Sequence, residues 1–151
     1  MSEIPDELYE RILGQMPIPC VDLLIRDDAD RVLLVHRTNE PARDEWWFPG
    51  GRIHFFEERR AAVSRKLHEE TGLTATGVRE CGTYDLFFVI DSDTRRHSIT
   101  TLYDVRVASS DRLRLDEQSA AARWMTRTEW LDRDLPPFVR GRLLDAVAEH
   151  P

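Results

Sequence analysis

The sequence predicts an α/β protein in which helices cover both faces of a sheet, an α/β/α sandwich. Two observations carry this. Segments rich in Val, Leu and Ile that suit strands are interrupted by segments with helical spacing. The helical segments are also punctuated: Pro17 and Pro19 follow the first, Gly72 follows the second, and Pro136 opens the last. A chain of 151 residues, 41% hydrophobic and 32% charged, suits one domain with a real core. We expect a single domain over 1–151, with an N-terminal helix in 1–16, a core over 17–135 and a C-terminal helix in 136–151.

Each element follows from local pattern. Residues 6–15 read as a helix with Asp6 near the N-cap, and Leu8 and Ile12 form a stripe that Met16 just beyond it would extend. Cys20 to Ile25 and Arg31 to Arg37 read as strands joined by a turn at Asp27 to Asp30. Asp22 lies inside the first of these, and the pattern alone favours an edge position facing solvent. Thr38 to Glu45 is a polar loop, followed by Trp46, Trp47 and a Pro-Gly-Gly turn; core packing is the expected role of the tryptophans. Arg52 to Phe55 suits a short strand. A helix is expected from about Glu57 to Thr71, with Ala61, Ala62, Val63 and Leu67 on its apolar side and Gly72 as its stop. Strands follow at Val78 to Tyr84, Leu86 to Ile90 and Ile99 to Val107, with a hairpin turn at Asp91 to Arg96 between the last two. Arg123 to Met125 is a short strand and Thr128 to Leu131 a helical turn. In the final helix, Phe138, Leu143, Leu144 and Val147 are the candidate buried residues.

Bulk charge narrows the function. A net charge of −7 argues against a binder of nucleic-acid polymer, which would normally be basic. No run approaches the roughly 18 apolar residues of a membrane span, and the acidic N-terminus lacks the pattern of a signal peptide, so a cytoplasmic protein with no membrane partner is expected. Cys20 and Cys81 match no metal or redox spacing and are expected to be buried. An acidic protein that binds phosphate needs a local cation, from clustered arginines or a metal. Arginine dominates the basic residues, and Lys66 is the only lysine.

The informative stretch is Gly50 to Leu73. A Gly-Gly turn lets a backbone carbonyl approach an ion closely. On the helix, Arg65 and Glu69 are spaced i, i+4, as are Lys66 and Glu70. The adjacent carboxylates Glu69 and Glu70 repel one another unless a cation is near, and Mg²⁺ takes such oxygen ligands while keeping water and phosphate in its shell. The charge pattern alone favours a solvated helix face with surface ion pairs.

The spacing adds a resemblance. Gly51 is followed by five residues and Glu57; seven more lead to Arg65, Lys66, Leu67, His68, Glu69, Glu70, Thr71, Gly72 and Leu73. This is similar to the signature of Nudix hydrolases, and every fixed position matches except Lys66, where the signature has a Glu. The resemblance implies the Nudix fold, with a mixed sheet between helices, and a Mg²⁺ site (Mn²⁺ as a substitute) lined by the Gly50 carbonyl, Glu69 and Glu70.

A further set resembles the GDP-mannose mannosyl hydrolases, a divergent branch, over roughly residues 17 to 131: Val21-Asp22-Leu23, His36 to Ala42, Trp46, Pro49 to Arg52, Asp116-Glu117-Gln118 and Arg123-Trp124. It implies that Asp22 touches a sugar nucleotide, that Arg37 and Arg52 stabilise diphosphate charge, and that Gln118 completes the metal shell. The implied catalytic set is Arg37, Arg52, Glu69 and Glu70; the implied substrate contacts are Asp22, Arg37, Arg52 and Arg65. Two departures bear on the proton acceptor. Ser119 stands where the mannosyl hydrolases carry a basic His, and Lys66 stands where other Nudix enzymes carry a basic Glu. Glu117, His97 and Glu69 are the substitutes.

The expected function is therefore Mg²⁺-dependent hydrolysis of a nucleoside-diphosphate sugar such as GDP-mannose, by a homodimer, with cleavage at phosphorus or at the sugar carbon left open. The alternatives are a housekeeping nucleoside triphosphate pyrophosphatase, or a catalytically impaired module that binds a nucleotide sugar, which Lys66 and Ser119 motivate.

Overall fold

The computed structural model describes residues 3–108, 112–114 and 119–150. The chain runs α1 (Asp6–Leu13), β1 (Ile18–Arg26), β2 (Val32–Arg37), β3 (Trp46–Trp47), β4 (Gly50–Arg52), α2 (Arg59–Thr71), β5 (Gly77–Val89), β6 (Arg95–Arg106), β7 (Ser119–Met125), α3 (Arg127–Leu131) and α4 (Pro137–Glu149). The strands form a mixed sheet ordered β3-β2-β1-β6-β5, with β4 paired to β1 and β7 to β2. Among the described residues, only β1 and β6 run parallel, and every other pairing is antiparallel. Among the described residues, no helix is long and apolar enough to cross a membrane.

Strand β1 is the centre because both its faces are covered. Val21, Leu23 and Ile25 face Ala62, Val63 and Leu67 of α2 and, with Tyr103 and Val105 of β6, form one apolar layer. Leu24 joins a second layer on the opposite face, where Leu34, Trp47, Phe48 and Met125 meet Trp130, Leu135, Val139 and Leu143. A strand buried on both sides reads as a nearly continuous apolar run, as Val21 to Ile25 does. The expected α/β/α sandwich is thus the fold observed.

Several boundaries move, each for a local reason. The helix expected from Glu57 begins at Arg59, because Phe56 takes a positive φ of 62° and turns the chain just before it. The short strand expected at Arg52 to Phe55 lies instead at Gly50–Arg52, in register with Cys20 to Asp22 of β1. The strands expected at Val78 and Leu86 are one strand, β5, bent by a bulge between Glu80 and Gly82 rather than broken. Strand β6 starts at Arg95, earlier than expected, since the Asp91 side chain accepts from the backbone of Asp93 and Thr94 and closes a tight turn. Strand β7 begins at Ser119, ahead of the expected Arg123. Gly72 ends α2 in the left-handed conformation, φ 71°, as expected of a glycine stop.

Side-chain placement also differs in places. Leu144 is exposed, whereas Leu143 is buried and Phe138 and Val147 are half-buried. Leu8 and Met16 of the N-terminal stripe are exposed, as is Ala61. Cys20 and Cys81 are free thiols and only half-buried, correcting the expectation of two buried cysteines. The tryptophans do pack: Trp47 is buried and stacks on Phe138 with centroids 5.6 Å apart, and Trp46 sits edge-on to His36 at 5.3 Å.

One charged cluster locks β1 to β6 at the end remote from Gly50. The buried Arg26 guanidinium pairs with the buried Asp104 carboxylate and reaches Asp30 at 3.2 Å. Removing one partner of such a pair strands the other charge in the interior. Asp104→Asn should therefore lower the unfolding free energy by roughly 3 kcal/mol, measured by urea denaturation at neutral pH; a loss under a tenth of that would show that Arg26 finds adequate solvent or Asp30 in its place.

Candidate active site

The site forms where β4 crosses the mouth of β1. Asp22 and Gly50 are paired in register, and Leu23 N–H donates to Pro49 O at 2.8 Å. At this crossing a side chain on residue 50 has no room: a Cβ there would lie 2.2 Å from the Val21 carbonyl and 2.9 Å from Asp22 Oδ1. Helix α2 docks on the same turn through its C-terminal half. Gly50 N–H donates to the buried Glu70 Oε2 at 2.9 Å. Lys66 Nζ lies 2.9 Å from Glu70 Oε1 and 3.7 Å from Glu69 Oε2.

A second set of contacts braces the helix against the preceding loop. The Arg65 guanidinium grips Glu57 through two bonds of 2.7 and 2.8 Å, donates to the Arg52 carbonyl at 3.0 Å and reaches Glu69 at 3.1 Å. His54 N–H donates to Glu57 Oε1 at 3.2 Å. The Arg65 bonds, joined by that backbone donor, hold the Glu57 carboxyl down at about 2, far below the ordinary carboxylate range.

Asp22 lies at the floor of a cleft of about 610 Å³, a volume typical of small-ligand sites. Burial pushes its carboxyl up to about 6, against the opposing pull of the Thr100 hydroxyl, the Arg37 charge and the Trp47 side chain. Thr100 Oγ1 donates to Asp22 Oδ2 at 2.7 Å. Arg37, Arg52, Arg65, Lys66, Glu69, Gly50 and Gly51 line the same cleft. Arg37 is oriented by donating from Nε to the Pro41 carbonyl at 2.9 Å, and Arg52 lies 5.1 Å above the Tyr9 ring of α1.

The family model of the NUDIX domain matches residues 16–145. The chain belongs to the NUDIX family. A Haloferax volcanii protein, "Low-salt glycan biosynthesis protein Agl8", is 35% identical over 149 residues, 97% of this chain and 92% of its own length. An ADP-ribose pyrophosphatase of Methanocaldococcus jannaschii is 32% identical over 95 residues, 63% of this chain and 54% of its own. Among solved structures, the NUDIX domain of Shewanella oneidensis NrtR, complexed with ADP ribose, superposes with a TM-score of 0.75 at 20% identity, covering 98% of this chain and 100% of that one. The chain is a Nudix hydrolase with that family's mixed sheet and flanking helices.

Set on this Nudix scaffold, Asp22, Arg37, Gly50, Arg52, Arg65 and Glu69 converge on one cleft, with Glu70 behind its wall. One expectation is corrected. Asp22 does not face solvent at a sheet edge: β4 and β6 both pair with β1 at this point and enclose it. Arg65, expected to contact substrate, lines the cleft and also bonds Glu57, Glu69 and the Arg52 carbonyl, which braces the loop. His97, weighed as a proton acceptor, stacks on Phe87 at 4.6 Å and lies 3.6 Å from Asp85 on the cleft wall. Gln118 and Glu117 lie outside the described residues.

Other lining residues carried no sequence signal as site residues. Tyr9 and Glu10 come from α1, Arg96 from β6, and His54 from the loop between β4 and α2. Arg96 pairs with Glu10 at 3.0 Å and ties α1 to the cleft rim. His54 falls in the unspecified five-residue gap of the motif, where spacing says nothing. Burial and the neighbouring Arg65 charge pull its imidazole below the ordinary value.

For a divalent ion, the donor chemistry fits. Glu69 and Glu70 are hard oxygen donors on one helix turn, facing a Gly-Gly backbone that approaches closely for want of side chains. Among the described residues, no group of three His, Cys, Asp or Glu gathers in one place. Glu69, Glu70 and the Gly50 carbonyl could supply such oxygen donors, with Lys66 beside the two carboxylates.

The Glu57 carboxyl sits lower in the folded chain than in a free peptide, so its contribution is full above about pH 4.5 and is lost as pH falls toward 2. Glu57→Gln should cost on the order of 2 kcal/mol at pH 7. The gap between parent and variant, followed by urea unfolding, should narrow steadily below pH 4. A gap independent of pH would show that the Arg65 brace acts by shape alone.

Proposed function

We propose that this chain hydrolyses a nucleoside-diphosphate sugar, with Mg²⁺ held by Glu69, Glu70, the Gly50 carbonyl and Gln118, and that water attacks phosphorus to release a nucleoside monophosphate and a sugar phosphate. The observation that carries this reading is the cleft itself. In a protein of net charge −7, it gathers Arg37, Arg52, Lys66 and Arg96 around a buried Asp22 and beside the glutamate pair. Guanidinium groups suit diphosphate oxygens, and a buried carboxylate suits a sugar hydroxyl. The relatives add support: one is named for glycan biosynthesis, another is an ADP-ribose pyrophosphatase, and an ADP ribose complex is known for a chain of the same fold.

In this reading Arg37 and Arg52 bind the diphosphate, each pre-oriented by its contact with Pro41 or Tyr9. Asp22, steadied by Thr100, accepts a hydrogen bond from the sugar. Arg65 fixes the loop that carries Arg52. A divalent ion held by Glu69, Glu70, Gln118 and the Gly50 carbonyl would supply charge neutralisation for the diphosphate and orientation for the attacking water. His54, whose imidazole stays neutral near pH 7, takes the proton from that water. Ser119 stands where cleavage at the sugar carbon would be expected to use a His, which favours phosphorus. The exposed Leu8 and Met16 offer apolar surface for the homodimer we include in the proposal.

Turnover of GDP-mannose in ¹⁸O water, followed by phosphorus NMR, decides the bond. Label should appear on a product phosphate. Label confined to free sugar would overturn attack at phosphorus, and pyrophosphate release from triphosphates with no turnover of any nucleotide sugar would overturn the substrate class. Glu70→Gln should lower kcat at least about 100-fold. His54→Gln should remove the fall in rate on the acid side of the imidazole range; an unchanged pH profile would exclude His54 as the acceptor.

A further inference from the structure

Lys66 occupies the one place on α2 where a positive charge meets both glutamates. Its side chain is only 11% exposed, so it is not a solvated surface partner. Its ammonium lies 2.9 Å from Glu70 Oε1 while Gly50 N–H holds Oε2 at 2.9 Å. Both oxygens of the buried carboxylate are therefore engaged by the protein's own donors. The lysine stem reaches this position by passing Gly51, where a Cβ would lie 2.9 Å from Cε and 3.2 Å from Nζ. A buried carboxylate, a missing side chain and an ammonium thus converge on the point at which an external cation would bind.

We propose that Lys66 is a tethered counter-ion of the Glu69–Glu70 pair that competes with the divalent ion. Metal entry then requires the ammonium to leave Glu70 Oε1. The inference rests on the metal site proposed above, but not on the substrate or on the bond broken. Two like charges cannot share one carboxylate oxygen in a buried setting without a large Coulomb penalty, so one cation displaces the other. Leaving Glu70 with neither cation is the costly state, because its charge would be buried and unpaired.

Mn²⁺ titration followed by the EPR signal of the free ion reads this without turnover. Lys66→Gln should bind Mn²⁺ about tenfold more tightly than the parent, or better, since the competing charge is gone. Lys66→Glu, which adds a carboxylate, should bind at least as tightly as Lys66→Gln. Lys66→Arg keeps the charge and should stay close to the parent. An affinity for Lys66→Gln equal to or below the parent's, or no Mn²⁺ binding by either, overturns the proposal.

A second measurement uses the unaltered chain, in case Lys66→Gln does not fold. Lys66 is the only lysine, so labelling with ε-¹³C lysine yields a single side-chain methylene signal. Mg²⁺ should move that signal in step with binding measured by calorimetry. A signal that stays put while Mg²⁺ binds, or no detectable binding at all in a chain whose Lys66→Gln variant cannot fold, overturns the exchange. Absence of nucleotide-sugar turnover would instead sink the substrate reading and leave these metal affinities unaffected.

Discussion

The hydrogen bond from Gly50 to the buried Glu70 carboxylate joins the two halves of the molecule that make a site. On one side is the β1–β4 crossing, which leaves residue 50 no space for a side chain. On the other is α2, anchored by Ala62, Val63 and Leu67 in the apolar layer. A bond to an ionised acceptor is stronger than a neutral one and loses most when either partner is displaced. It sets the depth at which the helix meets the turn, and with it the reach of Glu69, Lys66 and Arg65. The Arg65–Glu57 brace then carries the same geometry to the loop bearing Arg52 and His54.

Much of this was legible in the sequence because it is local. The spacing from Gly51 through Glu57 to Leu73 placed the turn, the helix and its glutamates, and Gly72 ended the helix where its left-handed φ requires. The Val- and Leu-rich pattern of β1 likewise foretold a strand, and Ala62, Val63 and Leu67 foretold the apolar side of α2. What was not legible depends on pairing across long separations. Asp22 looked like an edge residue because alternation along one strand says nothing of β4 and β6 closing over it. Strand β5 looked like two strands because a bulge and a break leave the same mark in the pattern.

The site residues divide in the same way. Glu69, Glu70 and Gly50 follow from the motif, whereas His54, Tyr9 and Arg96 enter the cleft only through the fold. Arg65 is instructive because the motif gives its position but not its protein partners. Four hydrogen bonds to protein acceptors commit its guanidinium before any ligand arrives. Charge counting along a helix cannot separate an arginine that binds from one that braces; the acceptors around it can.

The same reasoning bears on why a lysine is tolerated beside two glutamates. A buried ion pair gives no net stability over a well-packed apolar pair of the same shape, since desolvation offsets the attraction. Stability alone therefore gives no reason to place an ammonium and a carboxylate at residues 66 and 70. A carboxylate held ready for a cation does supply a reason for Glu70, and it creates a problem when no cation is bound. Lys66 answers that problem from within the helix, at the distance the i, i+4 spacing allows and through the gap Gly51 leaves. The residue that departs from the Nudix pattern is in this view the one that lets the glutamate pair remain folded between metal-binding events.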